Sequence, residues 1–167
     1  MTFELAQVNI ARLSAPLNSP RLKDFVDNLD PVNALADHAP GFVWRLQTED
    51  GDATSISAFE WDTAGSAGVL VNMSVWTSVE ALAEFVYSAE HLAVLRRKRE
   101  WFEQVREAVT ALWWVPAGHR PTVQDAEHRV RLLRAEGPTP EAFTLRRSFP
   151  ALGSAAVDGK PDWLCPA

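Results

Sequence analysis

The stretch Val69-Leu70-Val71-Asn72-Met73-Ser74-Val75-Trp76-Thr77-Ser78-Val79-Glu80-Ala81-Leu82-Ala83-Glu84-Phe85-Val86 changes its hydrophobic period at Thr77. Up to Trp76 the pattern alternates, so a strand puts Leu70, Asn72, Ser74 and Trp76 on one face. Beyond it Thr77 or Ser78 can N-cap a helix. Val79, Leu82, Phe85 and Val86 then make its apolar stripe, and Glu80 and Glu84 sit near its positive end. A strand running into an amphipathic helix is half of a split βαβ unit, so the other half is to be sought on either side.

Upstream, Phe3 to Ile10 alternates again, with Phe3, Leu5, Gln7 and Asn9 on one face. Leu22, Phe25, Val26 and Leu29 predict a helix that kinks at Pro31, continues through Val32, Leu35 and Ala36, and stops at Pro40-Gly41. Phe42 to Gln47 and Thr54 to Phe59 flank the turn Glu49-Asp50-Gly51-Asp52 and read as a hairpin. Downstream, the helical pattern continues from His91 to Arg106, and Val109 to Val115 reads as the last strand. Thr122 opens a Thr-x-x-Asp capping box with Asp125, and its helix runs to Glu136 before Gly137-Pro138. This order predicts an α+β, ferredoxin-like antiparallel sheet with helices on one face. One domain is expected over 1–147, C-terminal helix included, with 148–167 as an extended tail. A bare apolar sheet face needs a partner, so two sheets packed face to face, a homodimer, are expected.

Composition bounds the function. The chain has 167 residues, 47% of them hydrophobic, enough for one core. Acidic residues outnumber basic ones 22 to 16, which disfavours a nucleic-acid partner. The single cysteine, Cys165, rules out an intramolecular disulfide and a cysteine-built zinc site, and points to a reducing, cytoplasmic compartment. No apolar run reaches the roughly 18 residues needed to cross a bilayer, and no Gly-rich phosphate loop is present.

The block Asn72 to Leu82, with Phe85 and Ser88-Ala89-Glu90-His91, resembles the strand-to-helix segment of the dimeric α+β barrel superfamily, which includes antibiotic-biosynthesis and haem-degrading monooxygenases. Asp30 to Ala36, Gly41 to Arg45 and Trp113 to His119 are similar to the DUF3291 family within it, over roughly residues 3 to 145. The resemblance implies the dimeric barrel fold and no common activity. The superfamily's haem-degrading members use an Asn on the first strand, a Trp ending the third and a His on the next helix. Asn9 and Trp76 match the first two. The histidine position falls on Leu95, with His91 one helical turn earlier, so haem is carried only as an alternative to no cofactor.

The candidate residues follow. Asn9 and Asn72 can position a carbonyl or phenolate, while His91, with Tyr87 beside it, can move protons. Trp76 and Trp114 can shape a cavity for a flat aromatic ligand; Trp113 and Trp114 must point to opposite faces of their strand. Asn33 on an apolar helix face either binds ligand or bonds locally near Pro31. Arg45 either grips an anionic ligand or forms an ordinary ion pair, and His119 either serves a loop site or caps its neighbours. Convergence of Gln7, Asn9, Asn72 and Ser74 on one sheet face implies a pocket, a solvated face or a polar dimer interface. No His-x-x-x-His or Glu-x-x-His spacing exists, so no metal is expected. These readings lead to a small-molecule enzyme that oxidises or rearranges an aromatic or polycyclic substrate without a cofactor. A noncatalytic ligand-binding or assembly dimer is the alternative.

Overall fold

The structure, a computed structural model, describes residues 2–153. Four strands form one antiparallel sheet: β1 (Phe3–Arg12), β2 (Phe42–Arg45), β3 (Val69–Trp76) and β4 (Thr110–Pro116), in the order β2-β3-β1-β4. The connections carry α1 (Lys23–Asp37) between β1 and β2, and α2 (Val79–Val86), α3 (Ala89–Leu95) and α4 (Lys98–Trp101) between β3 and β4. This is the split βαβ order, so the chain is α+β and ferredoxin-like.

Register assigns the faces. Leu5 stands opposite Trp76 and Trp114, Gln7 opposite Ser74 and Leu112, and Asn9 opposite Asn72 and Thr110. These residues share the first face. The second face holds Ala6, Val8, Ile10, Val71, Met73, Val75, Ala111 and Trp113, all buried in one apolar cluster. Trp113 and Trp114 therefore do point to opposite faces.

α1 and α2 border the first face, where Val79 and Leu82 of α2 pack with Leu5, Trp76 and Leu112. Gly41, in the turn from α1 to β2, has a positive φ of 81°, and a Cβ there would lie 2.5 Å from the Cβ of Ala81. Glycine thus lets the turn touch α2, and the Gly41 carbonyl accepts from the Thr77 amide at 2.8 Å.

The second face was expected to be bare, with helices on the other side only. It is covered by the chain itself. α5 (Val123–Glu136), started by the Thr122–Asp125 capping box, lays Ala126, Val130 and Leu133 on it. The segment between β2 and β3 adds Ala58 and Phe59. That segment is pinned by Asp62, which is 6% exposed and accepts from Arg12 at 2.7 Å and from Arg134 at 2.7 and 3.1 Å. Burial alone would raise the Asp62 pKa, but the hydrogen bonds and charges of both arginines hold it below the usual carboxylate range. Face-to-face packing of two bare sheets is consequently not what this face offers.

Three local expectations also change. Thr54 to Phe59 is not a strand, and its alternation reflects burial of Ala58, with Ile56 packed alongside. Phe59 takes a left-handed φ of 55° and donates its amide to Glu127 of α5 instead of to a ladder. The helix expected over 91–106 breaks: Ser88 caps α3, and α4 ends by burying Trp101 against Leu13 and Leu22. α1 runs through Pro31 as one helix. Of the expected tail, 148–153 is described and 154–167 lies outside the described residues; the Phe149 carbonyl accepts from the Trp114 indole at 2.7 Å.

Candidate functional site

The first sheet face is closed at one end and open in the middle. At the closed end Trp76 is 1% exposed, with Phe42 edge-on at 5.5 Å and Phe85 stacked at 5.2 Å. In the middle, Asn9 and Asn72 are exposed although they lie directly opposite one another on the two central strands. Central strands of a covered sheet normally bury such positions. They are exposed here because α1 stands off: its 15 residues include no buried one, and Leu29, Val32 and Asn33 are only half-buried.

The floor is a chain of directed hydrogen bonds. The Trp76 indole donates to Ser74 Oγ at 2.8 Å, and Gln7 Nε2 donates to Ser74 Oγ at 3.0 Å and to Asn72 Oδ1 at 2.8 Å. Beside it, Asn9 Nδ2 donates to Thr110 Oγ1 at 2.7 Å. Gln7 and Ser74 are buried, so these bonds remove the cost of hiding their polar groups.

His91 adjoins this floor through rings. It lies 4.9 Å from Phe85, which stacks on Trp76. Its Nδ1 is 2.9 Å from the Val86 carbonyl. A carbonyl only accepts, so Nδ1 carries the proton and Nε2 holds the lone pair. Burial lowers the His91 pKa and the Val86 bond raises it, with burial dominant, so the ring is neutral at pH 7.

The other candidates lie apart. Tyr87, 51% exposed, is the C-cap residue of α2. Arg45 gives its guanidinium to Asp37 at 2.7 and 3.3 Å and to the Gly51 carbonyl at 2.6 Å, an ion pair that ties β2 to the end of α1. His119 is exposed on the loop after β4, 4.0 Å from Asp125. Trp114 is half-buried between Phe143 and the Phe149 carbonyl. The structure thus puts Asn9, Asn72 and Trp76 on one sheet face, sets His91 against Phe85 at the Trp76 end, and separates Arg45 and His119 from them. Thr110 was missed, although its alternation with Leu112 and Trp114 marks its face.

Among the described residues, no cluster of three or more His, Cys, Asp or Glu is placed to hold a metal ion. The cleft beside Phe85 does not fit haem. It measures about 280 Å³ and is rimmed by Glu84 and Glu90. It is smaller than the roughly 300–1,000 Å³ of organic-ligand sites, and its acids oppose the propionates of haem. No described helix is long and apolar enough to cross a membrane.

A family model described as a domain of unknown function, DUF3291, matches residues 4–158. The chain belongs to the DUF3291 family. No curated protein matches it. Solved structures similar to this DUF3291 chain include SnoaB, a cofactor-independent oxygenase from Streptomyces nogalater, at 17% identity and a TM-score of 0.42, covering 70% of this chain and 95% of that one. Rv0793 from Mycobacterium tuberculosis shares 15% identity at a TM-score of 0.43, covering 71% and 99%. PA3566 from Pseudomonas aeruginosa shares 11% at 0.44, covering 73% and 98%. The fold assignment of the DUF3291 chain stands on its own strand order and register.

Proposed function

We propose that the open sheet face binds a flat organic molecule, aromatic or polycyclic, and that the chain catalyses its oxidation or rearrangement by moving a proton without a cofactor. The observation that carries this reading is the exposed pair Asn9 and Asn72 on the two central strands, between the buried row Gln7, Ser74 and Leu112 and the half-buried Leu70, Ala11 and Thr110. A neutral His91 with its lone pair on Nε2 is in the state a general base needs. In this reading His91 takes a proton from an acidic C–H of the substrate, and the Asn72 N–H groups hold the enolate oxygen that develops. Return of the proton to another carbon gives rearrangement; addition of dioxygen to the carbanion, followed by protonation, gives a hydroperoxide.

The test is solvent deuterium exchange into 2-tetralone, a bicyclic ketone with an acidic C–H. The wild-type chain is expected to accelerate exchange, and His91→Ala to reduce that acceleration by roughly a hundredfold or more, with the fold intact by circular dichroism. Binding of 2-tetralone without acceleration would favour the noncatalytic reading. That alternative is supported by the mutual satisfaction of Gln7, Ser74, Asn72, Asn9 and Thr110, since a floor already hydrogen-bonded can serve structure as well as chemistry. A homodimer remains part of the proposal, checked by native mass, through a surface other than the face covered by α5.

A further inference from the structure

The hydrogen-bond directions on the open face select the edge of the ligand it takes, an inference that rests on the reading of this face as the ligand cleft. Indole Nε1 is a donor only, so Ser74 Oγ must accept from Trp76. Gln7 Nε2 has two hydrogens and directs them to Ser74 Oγ and Asn72 Oδ1. The carbonyl end of Asn72 is therefore turned to Gln7, and its amide nitrogen, with two N–H donors, is the end left for the cleft. Asn9 is turned the opposite way: its Nδ2 faces Thr110 Oγ1, which leaves its carbonyl Oδ1 outward. The two residues are direct cross-strand partners, so their side-chain bases stand about 5 Å apart.

We infer that the cleft takes a flat aromatic molecule by a cis-amide edge, a ring lactam or its equivalent, whose C=O accepts from Asn72 and whose adjacent N–H donates to Asn9. Gln7, which donates to Asn72 Oδ1, opposes turning over of the Asn72 amide by itself. Reversal would set the Asn72 and Gln7 N–H groups against each other unless Gln7 also reversed. Half-buried Leu70, one row beyond Asn72, and Phe25 of α1, which packs in the same cluster as Leu70, supply apolar surface for the rings.

The probes are 2-quinolinone, which presents that edge, and N-methyl-2-quinolinone, which lacks the donor. Binding is followed on the wild-type full chain by titration of the side-chain amide NMR signals of Asn9 and Asn72. The expected result is that 2-quinolinone shifts both signals and the N-methyl form binds about tenfold more weakly or worse. Asn72→Asp and Asn9→Asp place the same charge at opposite positions and serve as a matched pair. Asp at 72 still accepts from Gln7 but meets the ligand carbonyl with a carboxylate, so affinity falls by about tenfold or more. Asp at 9 still accepts the ligand N–H, so affinity falls by about threefold at most.

Equal binding of the two quinolinones, equal losses in the two variants, or binding of 2-tetralone alone would overturn the edge assignment and leave the cleft standing. If neither quinolinone nor 2-tetralone moves either signal, the cleft reading fails and the edge assignment with it. The wild-type comparison of the two quinolinones decides the matter even if a variant does not fold.

Discussion

Asp62→Asn is the sharpest test of how this fold closes its second face. Among the described residues Asp62 is the one acid facing two arginines, and all three side chains are well shielded, with side-chain exposures of 7% for Asp62, 13% for Arg12 and 15% for Arg134. Arg134 grips both carboxylate oxygens, while Arg12 holds Oδ1 with Nη2 and the Asp62 backbone carbonyl with Nε at 2.7 Å. Asparagine keeps the volume, removes the charge and turns an acceptor into a donor facing a guanidinium. Removing one member of a buried pair costs about 3–5 kcal/mol, because the charges left behind are uncompensated. Here two cations are left, partly screened by the 13–15% exposure, so about 3 kcal/mol is expected. Urea denaturation followed by tryptophan fluorescence measures it; the midpoint should fall with little change in slope. The pH dependence adds a second check. Because the folded pKa lies below the usual value of 3.8, the contribution of Asp62 is present above that value and is lost as pH falls through the folded pKa. The variant should lose that part of the acid sensitivity. A loss under about 1 kcal/mol, the size of a surface ion pair, would refute the claim that this triad holds the β2–β3 segment to the sheet.

Two further outcomes follow from the first face. Ser74→Ala leaves the buried Trp76 indole without its acceptor and releases Gln7 from one bond, so a loss of about 1–3 kcal/mol in urea denaturation is expected; a loss under about 0.5 kcal/mol would mean the indole finds another partner. For His91 the folded pKa is lowered from 6.5 by burial, so the unfolded chain binds the proton more readily. Its stabilising contribution is then complete above that value and is lost as pH falls from it toward the folded pKa. Denaturation midpoints of the wild type should therefore drop between about pH 7.5 and 5 relative to His91→Gln, and parallel curves would show that the ring is not shielded in solution.

Much of the fold is written in period and capping. The alternation of Phe3 to Ile10 and Val69 to Trp76 sets which side chains share a face, and the register confirms that Gln7, Asn9, Asn72, Ser74 and Trp76 share one. Thr122 and Asp125 announce α5 by a local bond pattern that needs no tertiary context. The cover on the second face was legible in part, since Ala126, Val130 and Leu133 form a stripe at helical spacing that has to be buried somewhere. Where it lands depends on Asp62, whose arginine partners are 50 and 72 residues away, and such pairings leave no local trace. The Thr54 to Phe59 misreading has the same cause: alternation records alternate burial, and a loop held across a sheet produces it as well as a strand does.

The functional face divides along the same line. Which residues reach it is a matter of parity along two strands. What they do there depends on the way each amide is turned: Gln7 donates to Asn72 Oδ1 and to the Ser74 Oγ that accepts from the Trp76 indole, and Asn9 donates to Thr110. Trp76 was expected to touch ligand because it ends its strand on the polar face. Packing against Phe42 and Phe85 buries it, and its indole donates to Ser74. Of the two readings of Arg45, a ligand anion or an ordinary ion pair, the structure shows the ion pair, with Asp37 and the Gly51 carbonyl taking its donors. Substitution of Trp76 should therefore act on the packing with Phe42 and Phe85, whereas substitution of Arg45 should act on the junction of α1 with β2.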